Sequence, residues 1–114
     1  MEDVQDVMKA AKKVTKLLLE NDTVRALEFS IKPGEKAPMH NHPYDHFVYF
    51  LSEASLQVTE PDGKPANIKT KPGQSMWMEA GAHETINVGE TEARYLVVEL
   101  KLPSQEAASL SDSS

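Results

Sequence analysis

The 114-residue chain contains no cysteine. Disulfide stapling and thiolate chemistry are therefore excluded, and any metal ligands must be nitrogen or oxygen. Long apolar runs are missing too. None approaches the ~20 residues that cross a bilayer as a helix, so no membrane partner is expected. Basic residues are in the minority, 12 Lys and Arg against 18 Asp and Glu, for a formal charge of −6 with neutral histidine. Neutralising phosphates takes a basic surface, so this balance argues against nucleic acid as a partner. The short cluster Lys12, Lys13 and Lys16 is soon followed by Glu20 and Asp22 and reads as solvated surface. Met1-Glu2-Asp3 lacks the basic start and apolar stretch of a secretion signal, which leaves the cytoplasm as the expected location.

What is present suits one domain with one modest core. Val4, Val7, Met8 and Ala11 recur at helical spacing, which predicts a short helix over Asp3–Lys13. Asp3 is its expected cap, and Asp6 lies in its first turn. The barrel wall or a second subunit would cover its apolar stripe. From Val14 onward the pattern becomes extended. Arg25, Leu27, Phe29 and Ile31 alternate with Ala26, Glu28 and Ser30, a period of two. Further extended segments are expected over 39–51, 56–58, 66–70, 75–79, 83–88 and 93–102. Pro-Gly, Asp-Gly and Gly-Glu turns separate most of them. About eight short β segments with regular turns point to an all-β sandwich or barrel, a jelly roll. The expected organisation is an N-terminal helical segment (1–13), a β-barrel domain (14–102) and a frayed polar tail (103–114).

All four histidines are unevenly placed. His40, His42 and His46 fall within seven residues, and His83 follows the later Pro-Gly turn. Alternate residues of a strand share a face, so His40 and His42 point together. His46 joins them if the strand stays regular through Pro43. Two same-face imidazoles plus His83 from a neighbouring strand would surround one point. Imidazole suits Zn(II), Fe(II), Ni(II) and Cu(II) and, less strongly, Mn(II). His-Glu-x-x-His on a helix is absent, which removes the metalloprotease reading.

The segment Gly34-Glu-Lys-Ala-Pro-Met-His40-Asn-His42-Pro-Tyr-Asp-His46 resembles the first motif of the cupin family. The segment Gly73-Gln-Ser-Met-Trp-Met-Glu79-Ala-Gly81-Ala-His83-Glu-Thr-Ile-Asn87 is similar to the second. The resemblance implies a double-stranded β-helix and one divalent metal ion per chain, Fe(II) first, with Mn, Ni, Zn or Cu as alternatives. It assigns His40, His42 and His83 as ligands and places His46 where the family usually has glutamate. It also implies a metal-dependent enzyme acting on a small organic molecule, with Fe(II) dioxygenation in view and isomerase or lyase chemistry as variants. A non-catalytic ligand-binding or sensor protein is the alternative, and a homodimer is the expected assembly. Four neutral imidazoles would leave the site two net positive charges, favouring anions. Around the histidines, Tyr44, Asp45, Asn87, Met76 and Met78 are candidates for contacts behind the ligands or along a pocket.

Overall fold

The computed structural model describes residues 4–101, and the expected tail lies outside them. One helical turn, α1 (Val7–Ala10), precedes nine strands. These are β1 (Thr15–Glu20), β2 (Val24–Ile31), β3 (Lys36–His42), β4 (His46–Phe50) and β5 (Ala54–Thr59). They continue as β6 (Pro65–Thr70), β7 (Ser75–Met78), β8 (Gly81–Asn87) and β9 (Ala93–Leu100). Every strand pairing between them is antiparallel. Five strands form one sheet in the order β1-β2-β9-β4-β7, and four form the other, β3-β8-β5-β6. The two sheets face each other as a jelly roll, with the core between them.

The alternation of apolar and polar residues decides which side of each strand is buried. Leu27, Phe29 and Ile31 of β2 point inward, as do Tyr95 and Val97 of β9 and Val48 and Phe50 of β4. Phe29 and Tyr95 stack at 4.8 Å with ring planes 8° apart. Such an offset contact adds to the burial of the two rings.

Two expectations need correction. Among the described residues the helix is only Val7–Ala10, and its cap is Asp6, whose carboxylate accepts from Met8 N at 3.0 Å; Asp3, the expected cap, lies outside the described residues. The cause lies downstream. Val14 is buried, and its carbonyl accepts from Ser30 N at 2.9 Å, so the chain must leave the helix by Ala11 to reach the sheet. Val7 and Ala11 join the core, so the barrel covers the stripe there, while Val4 stays exposed. The second correction concerns 39–51, which is not one extended segment. Pro43, Tyr44 and Asp45 carry the chain from β3 in one sheet to β4 in the other. Proline has no N–H for the ladder and fixes its own φ, which ends β3 there.

Candidate metal centre

His40 sits directly opposite His83 in the β3–β8 pairing, so both project from neighbouring strands into the barrel. The register slips between Ala37 and His40. That irregularity falls at Pro38, a residue that sheets tolerate at bulges. It allows Ala37 and His40, three residues apart, both to point inward. His42 follows on the same face. The ligand-capable atoms of His40, His42 and His83 all lie within 4.8 Å of one another. His46 arrives from β4 across the barrel, its ring 4.2 Å from that of His42 and nearly parallel. It lies outside the three-residue group. The four-histidine reading thus divides into a close triad and a fourth ring against it.

Hydrogen bonds fix which nitrogen the rings of His40, His42 and His46 present. His40 Nδ1 lies 2.6 Å from the Pro38 carbonyl, and His46 Nδ1 lies 3.0 Å from that of Tyr44. A carbonyl only accepts, so both rings carry their proton on Nδ1 and leave Nε2 with its lone pair. His42 Nδ1 is 2.8 Å from Glu99 Oε2. His40 Nε2 is buried with no hydrogen-bond partner. An orphaned buried acceptor is costly and calls for a partner. A divalent cation beside two further imidazoles meets that need, so the donor set fits a metal.

Electrostatics agree. Burial, followed by neighbouring imidazoles, pushes His40 and His46 down to about 4 and His83 to about 3. All three are neutral at physiological pH, the form that ligates. Burial alone would raise Glu99, but the bonds from His42 and Arg25 hold it below its ordinary value and ionised. Glu99 is fully buried and was not anticipated. Its signal was present, because β9 alternates Ala93, Tyr95, Val97 and Glu99 inward, and the last breaks an apolar row. Glu99 also alters the charge count behind the anion expectation. With Arg25 and Asp6 offsetting each other, its carboxylate returns one negative charge to the centre.

Beyond the histidines runs a narrow apolar lumen, a cavity of about 30 Å³. Met76 and Met78 face into it from β7, while Trp77 between them faces out. The hydroxyls of Thr85 and Tyr95 are its polar groups apart from imidazole, and no Lys, Arg, Asp or Glu is among the described residues lining it. The other candidates serve nearby structure. The Asp45 carboxylate accepts from Ala80 N at 2.8 Å and holds the β7–β8 turn. Tyr44 gives its carbonyl to His46. Asn87 is buried at the far end of β8, bonded to main-chain groups of Ile31, Thr91 and Gly89.

Residues 27–99 match the sequence profile of one protein family, the Cupin domain. The chain belongs to the cupin family. Among solved structures, this cupin is similar to a cupin domain from Bordetella pertussis, at 24% identity and a TM-score of 0.73, over 78% of this chain and 93% of that one. It is also similar to an RmlC-like cupin with a double-stranded β-helix from Methanocaldococcus jannaschii, at 17% identity and a TM-score of 0.64, over 96% of both chains. A third is the polyketide cyclase RemF from Streptomyces resistomycificus, at 23% identity and a TM-score of 0.61, over 90% of this chain and 77% of that one. At these identities the likeness is one of fold. No curated protein matches by sequence. The chain thus carries a small cupin domain with a histidine triad able to hold a divalent metal.

Proposed function

We propose that this cupin is a metal-dependent enzyme acting on a small, mostly apolar organic molecule, and that its reaction is an Fe(II)-dependent dioxygenation. The observation that carries the reading is the unpartnered Nε2 of His40, beside His42 and His83 at the end of an apolar lumen. His40, His42 and His83 would hold the ion, with His46 as a fourth ligand or a wall of the site. Bound there, iron supplies a redox centre with positions left open for small ligands. The lumen keeps water from the reacting atoms and admits an uncharged portion of substrate. Met76 and Met78, flexible and polarisable, adapt its mouth to the molecule that enters.

The test begins with anaerobic purification and titration with Fe(II), Mn(II), Ni(II), Zn(II) and Cu(II). Oxygen uptake is then followed with a panel of small uncharged organic molecules. Uptake with the iron form alone, lost in His40→Ala, supports the proposal. A second reading, a non-catalytic ligand-binding protein, is favoured by the lumen's lining, which among the described residues includes no carboxylate to move a proton. Saturable binding of a panel molecule without oxygen uptake or product would select it.

We also propose that the protein works as a homodimer. Leu19, Ala26, Val98, Phe47 and Trp77 are consecutive cross-strand partners over all five strands of the larger sheet. They form an apolar row on its outer face, with Leu19, Phe47 and Trp77 exposed. An apolar row of that length suits a self-complementary interface.

A further inference from the structure

We infer that Glu99 is the positioning residue of the metal centre, and that Asp6 of the N-terminal segment acts on the centre through it. The inference rests on the metal-binding reading above and adds a connection to it. A fully buried carboxylate is retained only when paired on several sides. Glu99 has two partners from different elements. Oε2 accepts from His42 Nδ1 at 2.8 Å, and Oε1 accepts from Arg25 Nε at 2.5 Å. The remaining guanidinium nitrogens of Arg25 reach both oxygens of Asp6, at 3.0 and 3.1 Å. Such a two-pronged pairing fixes orientation as well as distance. Asp6 in turn caps α1. The same segment is tied to the ligand strand, because Asn41 N, between His40 and His42, donates to the Gln5 carbonyl at 2.8 Å.

His42 differs here from its neighbours. His40 and His46 are oriented by carbonyls two residues away, so their aim is local. The orientation of His42 comes from the opposite sheet, through a carboxylate that an arginine and the N-terminal segment hold in place. Glu99 fixes the Nδ1–H tautomer of His42 and turns Nε2 toward the cavity. A shift of residues 4–10 therefore reaches the His42 ring through Arg25 and Glu99, and the strand that carries His40 and His42 through Asn41. By reciprocity, metal binding must also favour the docked form of that segment.

The experiment titrates the full chain with Zn(II) alone against a chelating indicator, and records the absorption bands of the Co(II) form. Glu99→Gln keeps an acceptor for His42 but loses the charge that holds Arg25. Its Zn(II) affinity is expected to fall about 10- to 100-fold, with shifted Co(II) bands. A purely structural loss would lower the Tm of the metal-free protein and leave those bands in place, which would overturn the inference. Asp6→Asn, at the surface, keeps the test readable if Glu99→Gln does not fold. It should weaken Zn(II) about 5-fold or more. Zn(II) loading should also slow amide exchange over residues 4–10 of the wild type. Wild-type affinity in Glu99→Gln overturns the role of Glu99, and wild-type affinity in Asp6→Asn overturns the N-terminal link. A wild-type chain that takes up no Zn(II) fails the metal reading itself.

Discussion

Asn87 carries three hydrogen bonds on one buried amide. Its Nδ2 donates to the Ile31 and Thr91 carbonyls, each at 2.8 Å, and its Oδ1 accepts from Gly89 N at 2.9 Å. Asn87→Ala would orphan all three main-chain groups. The expected cost is about 3 kcal/mol, read from denaturant melting of the metal-free protein, with unchanged Zn(II) affinity in the folded fraction. A loss of affinity as large as that of Glu99→Gln would return Asn87 to the metal centre. His40 and His42 were legible in the sequence because a period of two depends only on local backbone. Glu99 was not, since its partners lie 57 and 74 residues away and only the folded register brings them together. His46 was expected on the face of His42 only if the strand stayed regular through Pro43. Instead the chain breaks at Pro43, and His46 looks back from the opposite sheet.

Turns and the helix were legible in kind but not in length. The Lys71-Pro72-Gly73 turn lies where expected, with Gly73 at φ 90° and its N–H on the Phe50 carbonyl at 2.9 Å. Gly73→Ala forces a Cβ into that left-handed conformation and should cost about 1 kcal/mol, measured as a shift in the denaturation midpoint. Helical spacing over residues 4–11 could not reveal that Val14 would be needed by the sheet. The capping Asp6 gives the helix a pH dependence. Burial alone would raise its carboxyl, but the bonds from Arg25 and Met8 N hold it below 3.8. A carboxyl depressed in the folded state contributes stability that is whole above its unfolded value. That stability is lost as pH falls through the folded one. The metal-free wild type should therefore lose Tm below about pH 4, and Asp6→Asn should lose less over the same interval.

At the scale of the whole molecule, the jelly-roll class and a count of about eight strands, against nine observed, follow from regular turns and alternating strands, which the sequence displays openly. The outer face of the larger sheet does not announce itself in the same way. Leu19, Phe47 and Trp77 are 28 and 30 residues apart in turn, and only the strand order β1-β2-β9-β4-β7 lines them up. Trp77→Lys would place a charge at one end of that row. If the row joins two copies, light scattering should show the mass fall from two chains to one at micromolar concentration. An unchanged mass would remove this face from the assembly.

His40, His42 and His83 all belong to the four-stranded layer, and His46 alone belongs to the other. An ion gripped by the three would stiffen a single layer. One that also grips His46 would lace the two together, doing in a chain without cysteine what a cross-link does elsewhere. Pulling the layers apart would then mean breaking a coordination bond, and stripping the ion with a chelator would leave the halves held by side-chain packing and by polar contacts such as Glu99 to His42 and Asn87 to the Ile31 carbonyl.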